Sequence, residues 1–182
     1  IAKAGIPVFA WKEETLKEDP SIIYIEPDYV VKSLGTETPW NFESIGFDFS
    51  NSENFGKDVR IAILDTGSNN KNILDGYDFV NEDGNTSDDN GHGTSVSEIL
   101  KSSITDLPLK DAEVYSVKVL NNQGEGYVSD VIEGINWAID NHVNIVLMSF
   151  GGNGNSLLLE DAINNAYSQG ILLIAASGND GQ

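Results

Sequence analysis

The sequence contains no cysteine and only two histidines, and these shortages exclude several kinds of chemistry. Without cysteine there is no disulfide scaffold, no thiolate-bound zinc and no cysteine nucleophile. Chemistry based on histidine can use only His92 or His142. The longest unbroken apolar run, residues 171–176, is far shorter than the roughly 20 residues that cross a bilayer.

Basic residues are scarce as well. Ten lysine and arginine residues stand against 29 aspartate and glutamate residues, so the formal net charge of the 182 residues is −19. A field of this sign repels nucleic acid and anionic lipid. We therefore expect no nucleic-acid partner for this chain.

From residue 59 onward, short apolar runs alternate with amphipathic helical patterns. Apolar residues recur at helical spacing over residues 128–139, and Ser129 is predicted to be the N-cap of this helix. Gly170 is predicted to be the C-cap of the helix marked by residues 159–166. The alternation predicts a doubly wound α/β sheet. The four runs are nearly all apolar, which is typical of strands buried on both faces of a parallel sheet, and they cover residues 59–64, 114–120, 143–148 and 171–176.

Three polar turns follow three of these predicted strands. They are Asp-Thr-Gly at residues 65–67, Ser-Phe-Gly-Gly at 149–152 and Ser-Gly-Asn at 177–179. In open α/β sheets, ligands bind outside the carboxyl ends of the strands. The sequence therefore predicts a binding site where these turns meet on one rim.

Asp65 and His92 are the candidates for acid–base chemistry at that rim. A carboxylate at a buried strand end needs a hydrogen bond or a charged partner, although an aspartate there can simply form a turn. The aspartic-protease mechanism is excluded because it needs two such carboxylates, and Asp-Thr-Gly occurs once. His92 lies between two glycines and is a candidate general base that a carboxylate would orient. His142 ends a predicted helix and is given no role beyond the helix dipole.

Asn179 supplies a third candidate group. Its side-chain amide can donate to a developing oxyanion, and removing one such donor from a protease costs about 2.7–4 kcal/mol. An Asn-Gly-rich turn is common, so this signal is weak by itself.

Together these residues resemble the subtilisin-like serine peptidases, the subtilases. Asp65-Thr66-Gly67, Gly91-His92-Gly93-Thr94 and Ser177-Gly178-Asn179 match the catalytic Asp, the catalytic His and the oxyanion Asn of that family in order and approximate spacing. Residues 117–120, 134–139 and 148–152 also match. The resemblance implies a subtilisin-like three-layer αβα sheet and a serine endopeptidase (EC 3.4.21 class) that cleaves extended peptides or proteins.

The resemblance also implies a substrate cleft. Phe150 would help to line the S1 and S4 pockets, and Asp180 would lie near the S1 rim, where it would favour a basic P1 side chain. The segments whose backbones would pair with an extended substrate are Gly124, Glu125 and Gly126, and Ser149, Phe150 and Gly151.

Residues 1–34 resemble the C-terminal part of an α+β propeptide, which in this family is a chaperone and an intramolecular inhibitor. A helix is predicted near residues 12–17, and strands at 22–25 and 29–31. Processing is expected between Leu34 and Gly35, with Glu37–Thr38 as the alternative. Residues 35–182 would then be the N-terminal part of the catalytic domain. We expect a segment of a longer precursor, a zymogen that is secreted or held at the cell surface.

The chain departs from the family in lacking the Gly-Thr-Ser-Met-Ala segment that carries the nucleophile. Neither Ser95 nor Ser149 replaces it, so the remainder of the catalytic domain is an expected partner. The main alternative is a non-catalytic subtilase-like binding protein. A dedicated processing protease, such as a lanthipeptide leader peptidase, competes with a broad degradative enzyme.

No cofactor or metal ligand is assigned from the sequence. The stretch before Val114 leaves little room for the family's calcium loop. The acidic residues 82–89 lack an ordered ligand spacing and are predicted to form a solvated loop, with a calcium-binding site as the less favoured alternative.

Overall fold

The computed structural model describes residues 22, 28–33, 56–101, 109–152 and 154–179, and these form two sheets with three helices. The helices are α1 (His92–Leu100), α2 (Val128–Asp140) and α3 (Leu157–Ser168). None of the described helices is long and apolar enough to cross a membrane. The strands are β1 (Val30–Ser33), β2 (Arg60–Asp65), β3 (Leu74–Asp78), β4 (Glu113–Lys118), β5 (Glu125–Tyr127), β6 (Ile145–Met148), β7 (Phe150–Gly151) and β8 (Leu172–Ala175).

The larger sheet is parallel and has the strand order β3-β4-β2-β6-β8. Strand β2 is central and pairs with β4 on one side and with β6 on the other. The chain therefore builds one half of the sheet through β3 and β4 before it crosses to β6 and β8. This reversal beside β2 is the kind of switch point at which open α/β sheets bind their ligands.

The side chains of β2 alternate between two hydrophobic clusters, one on each face of the sheet. Ile61 and Ile63 pack in a cluster with Val96 and Leu100 of α1. Ala62 and Leu64 belong to a larger cluster that includes residues of α2 and α3. Helices thus cover both faces, and the predicted doubly wound α/β architecture is confirmed.

Strand β8 differs from the prediction that its residues are buried on both faces. It lies at the edge of the described sheet and pairs with β6. Leu172 is 54% exposed and Ile174 is 43% exposed. The apolar run correctly predicted a strand. The burial of its side chains, however, depends on which residues pack against β8 at the edge of the sheet.

The predicted start of α2 at Ser129 is wrong, because Tyr127 is the N-cap residue and Ser129 lies in the first turn. The reason is a carboxylate from outside the helix. Asp28 accepts hydrogen bonds from the Ser129 backbone N–H at 3.1 Å and from its hydroxyl at 2.7 Å. At the end of α3, the C-cap is Gln169 rather than the predicted Gly170, which follows it with a positive φ of 86°.

The second sheet is antiparallel and has the order β5-β1-β7. Strand β1 therefore lies between two segments that are predicted to bind substrate. Val31 pairs with Gly126 of β5, and Ser33 pairs with Phe150 of β7. The predicted strand at residues 29–31 overlaps β1, whereas the predicted helix at 12–17 and nearly all of the strand predicted at 22–25 lie outside the described residues.

Candidate active site

The carboxyl ends of β2, β6 and β8 are neighbours in the larger sheet. In the register, Leu64 pairs with Met148, and Met148 pairs with Ala175. The turns that follow these three residues therefore begin level with one another. The structure brings the three predicted polar turns to one rim, with Asp65 at the end of the central strand.

Asp65 and His92 are in direct contact at this rim. His92 Nδ1 lies 2.7 Å from Asp65 Oδ1, and both residues are buried, with exposed fractions of 3% and 1%. An ionised carboxylate only accepts hydrogen bonds, so Nδ1 donates and the tautomer of the ring is fixed. The Thr66 backbone N–H donates to the same oxygen at 2.7 Å, whereas Asp65 Oδ2 has no hydrogen-bond donor among the described residues.

Backbone hydrogen bonds and one glycine hold the two side chains in register. The N–H groups of Val119 and Leu120 both donate to the carbonyl oxygen of Asp65, at 2.9 and 3.1 Å. Gly93 allows the loops to approach, because a Cβ atom there would collide with the carbonyl oxygen of Gly67. Any other residue at position 93 would push His92 away from Asp65.

Asp88 organises the loop that leads into His92. Its Oδ1 accepts hydrogen bonds from Thr66 Oγ1 at 2.9 Å and from the backbone N–H groups of Asn90 and Gly91 at 3.0 and 2.8 Å. Its Oδ2 accepts from the backbone N–H of Thr94 at 2.8 Å and from the Thr94 hydroxyl. Burial raises the pKa of Asp88, but these hydrogen bonds outweigh burial and hold the pKa below its ordinary value.

The prediction of a solvated loop at residues 82–89 is therefore wrong at Asp88, which is 9% exposed. Glu82 and Asp83 in the same loop are exposed as predicted. The composition of the loop could not separate these carboxylates, because the burial of Asp88 depends on donors from the turn after β2 and from α1. Among the described residues, no group of three or more histidine or acidic side chains is placed to hold a metal ion.

Lys118 is a buried cation beside the same strand end. It is 1% exposed, and its Nζ donates to the carbonyl oxygens of Thr66 at 2.7 Å and Leu120 at 2.9 Å. It also forms an ion pair with Asp89, with Nζ 2.7 Å from Oδ1. Lys118 thereby joins the ends of β2 and β4 to the loop before His92. Sequence reasoning missed Lys118 and Asp88, although Lys118 lies within the matched segment 117–120.

The predicted substrate-binding segments are brought together around β1. Gly126 and Glu125 lie on β5, with Gly124 just before it, and Phe150 and Gly151 form β7, with Ser149 just before it. Asn179 is exposed and lies four residues beyond the end of β8. The predicted specificity residue Asp180 and the processing residues Leu34 and Gly35 lie outside the described residues.

The other histidine is far from this chemistry in the fold. His142 follows α2 with a positive φ of 54°. It lines a separate cavity with Arg60 and Glu113, near the amino ends of β2 and β4. It does not belong to the rim that carries Asp65 and His92.

Comparison with known proteins identifies the family. The model of the subtilase family (peptidase S8) matches residues 56–182. The chain is 38% identical to the minor extracellular protease Epr of Bacillus subtilis (strain 168), an alignment that covers 91% of this chain and 29% of that protein. It is 39% identical to the alkaline elastase YaB of Bacillus sp. (strain YaB), covering 92% of this chain and 46% of that protein.

Comparison with solved structures indicates the same family. A cold adapted subtilisin-like serine proteinase matches with a TM-score of 0.63 at 34% identity, over 71% of this chain and 50% of that one. The chain belongs to the subtilase family of serine proteases. It spans about half the length of the matched structure and less than half of the two curated relatives named above.

Proposed function

We propose that this chain contributes to a serine endopeptidase in which Asp65 orients His92 and His92 acts as general base and general acid. The observation that carries the proposal is the buried contact of 2.7 Å between His92 Nδ1 and Asp65 Oδ1. With Nδ1 engaged, the other ring nitrogen, Nε2, takes the proton of a serine hydroxyl as its oxygen attacks the scissile carbonyl carbon. His92 then returns the proton to the leaving amine, and a water molecule later hydrolyses the acyl-enzyme by the same proton transfers.

The side chain of Asn179 is proposed to donate to the oxyanion that forms during this attack. The nucleophile is proposed to be a serine outside residues 1–182, since no Gly-Thr-Ser-Met-Ala motif occurs within them. The exposed apolar side chains of Leu172 and Ile174 on β8 support this proposal. Further protein packed against this edge of the sheet, close to the turn that holds Asn179, would bury them.

Labelling of the full-length protein with a fluorophosphonate probe tests this proposal. We expect one serine outside residues 1–182 to be modified, as mapped by peptide mass spectrometry. His92→Ala should abolish labelling. His142→Ala is the matched control, because it removes the other histidine of residues 1–182, and it should label normally. Absence of labelling in the wild-type protein would contradict the proposal and favour a non-catalytic subtilase-like binding protein.

Residues 1–34 are proposed to be a propeptide whose end occupies the substrate cleft. Strand β1 supports this, because it runs antiparallel to both β5 and β7 and buries Val31 to 5% exposure. Asp28 adds the hydrogen bonds to Ser129 at the start of α2. The proposed processing bond follows Leu34, one residue beyond the last residue of β1.

Sequencing the N-terminus of the mature protein tests the processing point. We expect the mature chain to begin at Gly35 in the wild type and to remain uncleaved in His92→Ala. A mature chain that begins at Thr38 would instead support the alternative bond between Glu37 and Thr38. Processing at neither bond would contradict the assignment of the domain boundary.

Secretion and a dedicated processing role complete the proposal. The name of Epr, an extracellular protease, supports secretion, which fractionation of the culture medium tests. A processing role, such as the removal of lanthipeptide leader peptides, predicts a single cut in a leader–core precursor and little digestion of casein. Extensive digestion of casein would instead identify a degradative enzyme.

A further inference from the structure

Asp88 touches neither reacting atom of the proposed triad, yet its hydrogen bonds reach the immediate neighbours of both Asp65 and His92. Thr66 follows Asp65 in the chain, and its hydroxyl donates to Asp88 Oδ1 at 2.9 Å. The same hydroxyl oxygen accepts the backbone N–H of Gly93, the residue after His92, at 2.9 Å. A continuous path thus runs from Asp88 through Thr66 to Gly93.

The start of helix α1 depends on the same carboxylate. Gly91 is the N-cap residue and has no side chain to satisfy the free N–H groups of the first turn. Asp88 accepts the N–H groups of Gly91 and Thr94 from outside the helix. His92 is the first residue of α1, so the position of its backbone follows from where Asp88 holds this turn.

Both side-chain oxygens of Asp88 accept hydrogen bonds, and only a carboxylate has two such accepting oxygens. Oδ1 accepts from Thr66, Asn90 and Gly91, and Oδ2 accepts from two donors of Thr94. An asparagine would place an NH₂ group against donors on one of the two sides. The negative charge also lies near the positive end of the α1 dipole, where it is stabilising.

We propose that Asp88, acting through the hydroxyl of Thr66, is the positioning residue that holds the imidazole of His92 against Asp65 for proton transfer. This inference rests on the proposed serine-protease function. It predicts that a change at Asp88 lowers the rate of the chemical step and leaves substrate binding largely intact, because none of its hydrogen bonds described above involves the strands that pair with β1.

Two variants of the full-length protein test the inference. Asp88→Asn should lower kcat about 10- to 100-fold, because small displacements of a catalytic group have effects of this size, while KM stays within about threefold. Thr66→Val breaks the path to Gly93 and leaves the contacts of Asp88 with Asn90, Gly91 and Thr94 in place, so it should lower kcat by about tenfold. Thr66→Ser keeps the hydroxyl and should therefore retain most of the activity that Thr66→Val loses.

Asp83→Asn is the matched control. It removes one carboxylate from the same loop, where Asp83 Oδ1 accepts the backbone N–H of Asn85 at 2.8 Å. It should leave kcat within about twofold of wild type, since exposed substitutions have small effects. If Asp88→Asn is too unstable to assay, Thr66→Val and Thr66→Ser decide the question.

A spectroscopic readout separates this inference from the proposed function. The proton between His92 Nδ1 and Asp65 Oδ1 should give a low-field NMR resonance in the wild type. The resonance should weaken in Asp88→Asn and in Thr66→Val, and it should stay near its wild-type strength in Thr66→Ser. Wild-type rates of probe labelling together with an unchanged resonance in Asp88→Asn would overturn the inference. If the wild type is not labelled, the proposed function fails, and the resonance alone decides whether Asp88 positions His92.

Discussion

Replacing Asp65 with asparagine tests the catalytic assignment most directly. Oδ1 of Asp65 already accepts from both His92 Nδ1 and the Thr66 N–H, whereas Oδ2 has no donor among the described residues. An asparagine can therefore keep its oxygen toward His92 and turn its NH₂ group to the Oδ2 side. The tautomer of the ring survives this change, and what is lost is the negative charge beside the imidazolium.

The size of that loss follows from the separation of the charges. At about 4 Å and an effective dielectric constant of about 20, opposite unit charges interact by about 4 kcal/mol. Since each 1.36 kcal/mol is tenfold in rate, kcat of Asp65→Asn should fall about 10³-fold with KM nearly unchanged. Asp65→Ala should fall further, because nothing then accepts the Nδ1 proton.

The assay is hydrolysis of a chromogenic peptide by the full-length protein, with active sites counted by probe labelling. Asp78→Asn is the control. Asp78 is equally buried at 1% exposure, but it accepts from Val80 and Asn81 rather than from a histidine. It should lose stability and keep kcat. A fall of less than about tenfold in Asp65→Asn would refute the assignment of Asp65 as the partner of the general base.

Three further predictions concern stability, close packing and the cleft. Burial, followed by the charges of Asp28 and Asp78, raises the pKa of Asp130 to about 6, so the protein loses stability as pH rises from 4 through 6. Because Asp130 is partly exposed, Asp130→Asn should raise the free energy of unfolding by only about 1 kcal/mol at pH 8, and it should leave it unchanged at pH 4. Urea unfolding at the two pH values measures this difference, and equal effects at both would contradict the prediction. Gly93→Ala should reduce kcat at least 100-fold, because the new Cβ would collide with the carbonyl oxygen of Gly67. A wild-type kcat would show that the close approach of Gly93 to Gly67 is not required. In an added peptide of residues 1–34, Val31→Ala should weaken inhibition about tenfold, because the substitution removes two buried CH₂ equivalents that contribute about 1.6 kcal/mol. Unchanged inhibition would contradict the proposal that this segment occupies the cleft.

The sequence determined the fold class and the position of the rim. The periodicity and composition of apolar residues are local properties of the chain. They therefore predict from the sequence alone that the apolar runs ending at Leu64 and Met148 form parallel strands. The carboxyl ends of parallel strands lie at one edge of the sheet, so the turns at Asp65 and Ser149 are predicted to lie close together. The resemblance to the subtilases then followed from motifs in register, and the family match confirms it.

Only the tertiary structure decided which polar residues support that rim. Asp88 and Asp83 lie in the same acidic loop and look alike in the sequence, but donors from the turn after β2 and from α1 hold Asp88 in a buried position, whereas Asp83 is exposed. The helix start at Tyr127 rather than Ser129 likewise depends on Asp28, about 100 residues away in the chain. Such long-range hydrogen bonds leave no periodic signal, so they become visible only when the strands are assembled.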